Sequence, residues 1–409
     1  MSETPQTPVA GWQRKVAGFI SGQTVSLFGS MLVQYVLVWY VTLETRSGMM
    51  MMLSTLAGFA PQVLISLFAG VWADRYPRKL LILVADAGIA LATLVMAILF
   101  ALGHGSIWLI FAVTAIRSAG TGVQIPAVQA MIPQLVPTEQ LTRVGGIHGS
   151  IQSIMQLLAP ALSGALMATV PLQVIFGLDV VSAIIGICIL AGIKIPVHAK
   201  AMQQQATSAL HDMSEGLRYL RHNRFLKAFI VFDAICMFFI APAAFLSPLM
   251  ITRTFGDQVW RLTANELVFA AGAILGGVLI AAWGGFKNRM HTIVLSTLVF
   301  GIMTAMLGLP VPFTVYLLFM GVVGISMPLF STPATVLMQE HVDTDMQGRV
   351  FSLIQVATSC MMPLGMMIFG PLADVIRIET LFIVSGIALT AIGVVMLSYK
   401  GFRQDAIQL

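Results

Sequence analysis

Apolar runs of about twenty residues or more, separated by short polar breaks, recur along the whole chain and leave few architectures open. A bilayer core about 30 Å thick is crossed by about twenty apolar residues in a helix. A helix also satisfies its own backbone polar groups where no water is present. The runs near 16–41, 50–73, 80–101, 107–132, 144–169, 172–193, 225–250, 263–285, 290–309, 313–338, 350–373 and 380–399 therefore read as twelve spans of an all-α membrane protein. With 58% hydrophobic and only 10% charged residues over 409 positions, an ordinary soluble domain is excluded. The first run is too long for a signal-peptide core and lacks a small-residue cleavage site after it, so it counts as a span.

Basic residues orient the spans. With the amino terminus inside, the inner segments hold seventeen of the 22 Lys and Arg residues, and the outer segments hold Arg46, Arg253, Arg261 and Arg377. Arg117 lies within a span. By the positive-inside rule both termini are expected in the cytoplasm, and the net charge of +5 reflects this asymmetry without pointing to nucleic acid. Cys188, Cys236 and Cys360 all fall in predicted helices, where no disulfide framework is implied. There is no Walker phosphate loop, metal-ligand cluster or catalytic constellation, so neither an enzyme, a cofactor nor ATP-driven transport by this chain alone is expected.

The chain divides in the middle. Residues 1–12 read as a polar tail, 13–193 as a bundle of six spans, 194–224 as a linker, 225–400 as a second bundle and 401–409 as a second tail. In the linker Leu210, Met213, Leu217 and Leu220 recur at helical spacing, which predicts an amphipathic helix along the inner membrane face. Pro126-Ala and Pro333-Ala, each followed by a polar loop ending in Gln140-Leu-Thr-Arg143 or Gln347-Gly-Arg349, suggest an internal repeat. Two parallel halves with a site between them near the midplane is the arrangement such repeats imply.

Between the second and third spans stands Gly70-Val-Trp-Ala-Asp74-Arg75-Tyr-Pro-Arg78-Lys79. A plain positively charged inner loop would account for its basic residues, but it would not require Gly70 or Asp74. The stretch resembles the corresponding loop of major facilitator transporters, with Pro77 in place of the family's usual glycine. That resemblance implies that Gly70 lets helices approach closely. It also implies that Asp74, with Arg75, Arg78 and Lys79, forms a conformational latch capping a helix of the other half. Trp283-Gly-Gly-Phe-Lys287-Asn-Arg289 stands where a second copy belongs, without the aspartate.

Further stretches are similar to the macrolide-efflux (Mef-type) branch. They are Arg14-Lys15 before Gly22-Gln23-Thr-Val-Ser26-Leu, Ile116-Arg117-Ser118, Pro133-Gln-Leu-Val-Pro137-Thr-Glu-Gln-Leu141, and Gln339-Glu340 preceding Gly348-Arg-Val-Phe-Ser352. The resemblance runs from about residue 12 to residue 395. It implies two pseudo-symmetric six-helix bundles and alternating access. It also implies proton-driven export of macrolides or other bulky amphipathic drugs by a monomer in a bacterial cytoplasmic membrane. A siderophore or metabolite exporter of the same superfamily is the alternative. A nutrient uptake symporter or a non-transporting receptor would be separated from both by a flux assay.

Candidate site residues follow from spacing and charge. Ala159-Pro160-Ala-Leu-Ser163-Gly164 resembles the Gly-Pro-x-x-Gly-Gly antiporter signature and suggests a hinge or seal, with an ordinary proline kink as the other explanation. Gln23, Ser30 and Gln34, with Ser26 beside them, share one helix sector, as do Arg117, Thr121 and Gln124, and again Ser352, Gln355, Ser359 and Met362. These stripes suit the wall of a substrate cavity, although Ser and Thr also satisfy backbone carbonyls and glutamine can join helices. Asp86, Arg117, Asp179 and Asp233 lie inside spans, with His148 near a span's inner end, and each should face protein or water. Arg117 is about 15 Å from the outer start of its span and Asp233 about 12 Å from the inner start of its own, so they stand at similar depth. A pair across the halves, with Asp233 as the proton-coupling carboxylate, is one reading, and a structural partnership of Asp233 within its own half is the other. Asp86 is expected to serve the opening loop and Asp179 helix packing, both remaining further candidates for coupling.

If the latch operates, Asp74→Asn shifts the population toward the inward-open state. Distance probes across the inner face should record the shift, and unchanged distributions with normal transport would rule the latch out.

Overall fold

The computed structural model describes residues 11–193, 218–220, 223–343 and 346–398. The helices are α1 (Trp12–Thr45), α2 (Gly48–Arg75), α3 (Arg78–Ala101), α4 (Ile107–Leu135), α5 (Leu141–Thr169), α6 (Leu172–Gly192), α7 (Arg224–Phe245), α8 (Ser247–Thr254), α9 (Val259–Trp283), α10 (Arg289–Leu307), α11 (Phe313–His341), α12 (Gln347–Val375) and α13 (Ile378–Ser398). Twelve helices among the described residues are long and apolar enough to cross a membrane. The helix anticipated in the linker lies largely outside the described residues. The run at 225–250 is not one helix. It breaks at Leu246, because Pro248 in the first turn of α8 has no N–H with which to continue the ladder of α7.

Two compact units divide the chain. The first holds the described residues up to Val41 and from Leu56 to Ile193, and the second holds Thr42–Thr55 with those from 218 onward. The helix α2 thus starts in the second unit and continues in the first.

In the first unit Phe19, Ile82, Met131 and Leu190 form part of a buried cluster. On α3, Ile82, Asp86, Ile89, Thr93 and Met96 line the buried face, while Val84, Leu91 and Val95 are exposed. An apolar exposed face is what a lipid-facing helix requires, so inside and outside differ here in packing rather than in hydrophobicity. Pro61 interrupts α2, and there Ser118 of α4 enters its hydrogen-bond ladder. The Ser118 hydroxyl donates to Gly58 O at 2.6 Å and accepts from Gln62 N at 3.0 Å.

The second unit is built around Phe225, Phe229, Ile293, Leu337 and Val350. Its helices α10 and α13 cross where Gly301 meets Gly386. A Cβ added to Gly386 would lie 2.2 Å from Ala305 N and 2.5 Å from Gly301 O, both backbone atoms that have no room to yield. Gly386→Leu should therefore cost about 1–3 kcal/mol, the usual penalty of overpacking. Thermal unfolding in detergent checks this, and an unchanged midpoint would show that the crossing is loose.

Candidate substrate and proton sites

The first unit pairs its charges internally. Arg117 of α4 forms an ion pair with Asp179 of α6, their side chains 7% and 0% exposed. It also contacts the Thr93 hydroxyl of α3 and donates from Nη2 to Ser30 O of α1 at 3.2 Å. The second Asp179 oxygen accepts from Ser30 Oγ at 3.1 Å. Four helices are thereby tied at one polar point.

Asp86 is held separately, accepting from Gln23 Nε2 at 3.3 Å and from Gln124 Nε2. These contacts differ from the sequence expectations in three ways. Arg117 is engaged by Asp179 of its own unit rather than by Asp233. Gln23, Ser26 and Gln124 are buried, and both glutamines join α1 and α4 to the acid of α3. Such a face needs an internal acceptor because lipid supplies none. Thr121 Oγ1 donates to Arg117 O at 3.0 Å, satisfying backbone in its own helix, and Gln34 is exposed. Asp86 serves the glutamines rather than the opening loop.

In that loop Arg78 donates to Ala130 O at 2.7 Å, and Lys79 Nζ donates to Ala191 O and Ile193 O at 2.7 and 2.9 Å. Lys79 thus caps the carbonyl end of α6, where a cation is favoured by the helix dipole. The side-chain environments at positions 70, 74 and 75 lie outside the described residues, as does that of Ser352. Ala159, Pro160, Ser163 and Gly164 are all buried, and Ser163 Oγ donates to Leu32 O of α1 at 3.1 Å. The expected hinge therefore packs against α1.

The second unit contains a different arrangement. Asp233 of α7 lines a cavity of about 210 Å³ together with Met237, Ser296, Phe300, Phe330 and Gln355. Its Oδ1 atom is buried without a hydrogen-bond partner, and so is Ser296 Oγ. Gln355 on α12 donates to Ser359 Oγ at 3.1 Å, and Met362 is partly buried on the same helix. Glu266 of α9 goes unnamed in the sequence reading, although a lone carboxylate inside the 263–285 run is signal enough. Asn265 Nδ2 approaches its Oε1 at 3.5 Å. Among the described residues no three His, Cys, Asp or Glu side chains converge to hold a metal ion.

The contrast predicts a stability difference. Arg117→Met leaves Asp179 buried without its counter-charge and should lower stability by about 3–5 kcal/mol, whereas Arg117→Met with Asp179→Leu should recover most of it. Thermal unfolding of the purified variants tests this, and a single variant as stable as its parent would remove the structural role.

Residues 19–366 match the profile of the Major Facilitator Superfamily. Macrolide efflux protein A of Streptococcus pyogenes is 32% identical over 387 residues, 94% of this chain and 95% of that protein. The staphyloferrin A transporter of Staphylococcus aureus is 22% identical, covering 92% of this chain and 94% of its own. Among solved structures, a D-xylose-proton symporter superposes with a TM-score of 0.68 at 14% identity, over 92% of this chain and 97% of the other. With twelve apolar helices, a profile match over most of its length and a relative sharing nearly a third of its residues, the chain belongs to the Major Facilitator Superfamily of membrane transporters.

Proposed function

We propose that this chain is a secondary exporter of macrolides and related bulky, basic drugs, working as a monomer in a bacterial cytoplasmic membrane with both termini inside. It exchanges protons moving inward for drug moving outward. The observation that carries the reading is Asp233, a carboxyl group with an unpartnered buried oxygen in a cavity lined by methionine and phenylalanine side chains together with several Ser and Thr hydroxyls. A charged carboxylate in such surroundings is stabilised by whichever positive group reaches it. A proton and the ammonium of a drug's amino sugar are the two groups an exchanger needs, and they compete for one oxygen pair. The cavity of about 210 Å³ is smaller than the about 300–1,000 Å³ of drug-sized pockets, so it takes one end of the drug, not the whole. Methionine suits it to varied apolar shapes.

The relationship to macrolide efflux protein A supports the substrate class. An anionic siderophore is the weaker reading, since among the described residues the cavity lining includes a carboxyl and no basic side chain. Alternating access would proceed with the buried pair of Arg117 and Asp179 intact, as a fixed strut within its unit, while the Gly70–Lys79 loop latches the outward-open state and the Pro160 segment seals.

An uncoupler should raise macrolide accumulation in expressing cells to the level of cells lacking the protein. Asp233→Asn, which mimics the permanently protonated acid and so removes the charge that would hold the ammonium, should abolish uphill efflux and weaken macrolide binding and downhill exchange in proteoliposomes. Full uphill transport by this variant would move coupling elsewhere, with Glu266 and Asp86 the next acids to test. Accumulation independent of expression for every macrolide tried would remove the substrate assignment.

A further inference from the structure

We propose that Asp374 is a releasable clamp. It fastens the first turn of α2 to the last turn of α12, and its release favours the conformation open on the face where α2 begins. Asp374 stands in the last turn of α12. Its carboxylate accepts from Ser47 Oγ at 2.7 Å, from Gly48 N at 2.7 Å and from Met49 N at 2.9 Å. The amino end of a helix presents unsatisfied N–H groups and the positive end of its dipole, and an acid there is doubly favoured. Here the capping acid comes from 326 positions away, so the cap is a tertiary contact.

Arg253 of α8 completes the cluster. Its Nη2 donates to Asp374 Oδ1 at 2.7 Å and to Arg46 O at 2.6 Å, and its Nη1 donates to Ala373 O at 2.5 Å. One guanidinium thus grips both chain segments. Arg46, just before α2, has a φ of 47°, a left-handed conformation that its carbonyl's engagement by Arg253 helps to hold. Beneath the charges the main chains touch. A Cβ on Gly48 would lie 2.1 Å from Gly370 O, and one on Gly370 would lie 2.7 Å from Met52 Cβ.

Three further observations make this a device rather than a fixed cap. Residues 42–55 go with the second unit and the rest of α2 with the first, so the helix starts in one unit and continues in the other. Between them Pro61 and the inserted Ser118 hydroxyl interrupt the α2 ladder, giving the helix a place to flex. The Asp374 and Arg253 side chains are 30% and 27% exposed, so water is at hand to take over their hydrogen bonds when the cluster parts. A fully buried pair would have no such substitute.

The sequence contains an echo of the same construction. Gly370-Pro-Leu-Ala-Asp374 repeats the glycine, alanine and aspartate spacing of Gly70-Val-Trp-Ala-Asp74. One copy ends α12 and the other ends α2. The clamp rests on its own geometry and stands whatever Asp74 does.

The test uses the full chain in nanodiscs with Cys188, Cys236 and Cys360 replaced. Nitroxide labels at His104 and Leu309 report on the loops after α3 and α10. Asp374→Ala should move the distance distribution several-fold toward longer separations, and Arg253→Gln should move it less in the same direction. Gly48→Val, which wedges the crossing without touching a charge, should reproduce the shift and keeps the test alive if Asp374→Ala fails to fold. Parent-like distributions in Gly48→Val and in any folded Asp374→Ala, or a loss of thermal stability alone, would identify a static cap and overturn the proposal.

Discussion

A charge inside a bilayer must find its counter-charge within the protein or remain costly, and the two units meet that constraint differently. In the first, Arg117 and Asp179 neutralise each other at a point where four helices meet, and Asp86 is hydrogen-bonded by two glutamines. Removing any partner there exposes another to an apolar medium, so the network resists change. In the second, Asp233 keeps a buried oxygen without a partner beside a cavity. Paired charges suit a rigid strut. An unpaired carboxyl suits a group that must bind and release positive charge on every cycle.

Packing obeys the same solvent. Lipid is as apolar as leucine, so burial of apolar area does little to hold one helix against another, and close fit takes its place. The crossing of α10 and α13 at Gly301 and Gly386 depends on the absence of a side chain. So does the start of α2 against the end of α12 at Gly48 and Gly370. At that second crossing the fit is joined by charges partly open to water, which makes it a contact able to part. The mobile elements of such a transporter are expected where fit and solvated charge coincide, and the fixed ones where charge is sealed.

The spans were legible because twenty apolar residues form a signal that no soluble helix matches. Periodicity also placed Gln23 and Ser30 on one face of α1, and Arg117 and Gln124 on one face of α4, sectors expected to line a substrate cavity, and the structure turns these side chains toward acids of neighbouring helices. What periodicity lacks is the identity of the neighbour. Similar depth suggested Asp233 for Arg117, yet depth is one coordinate, and Asp179, in the second turn of α6, satisfies it as well. The polar face could therefore be read while its occupant could not. Asp374 illustrates the converse. Its spacing from Gly370 was visible, but only the fold shows that it caps a helix begun more than 300 residues earlier.

The central claim is that one carboxyl group in the second unit holds either a proton or the drug's ammonium. Purified protein in weakly buffered detergent, titrated with a quaternary ammonium derivative of a macrolide, tests it most directly, since that ligand brings no exchangeable proton of its own. The account predicts proton release into the medium as the ligand binds, at a pH where Asp233 is protonated in the free protein, and no release from Asp233→Asn. Tight binding by the parent protein with no proton released at any pH between acid and neutral, or equal release from Asp233→Asn, would contradict it.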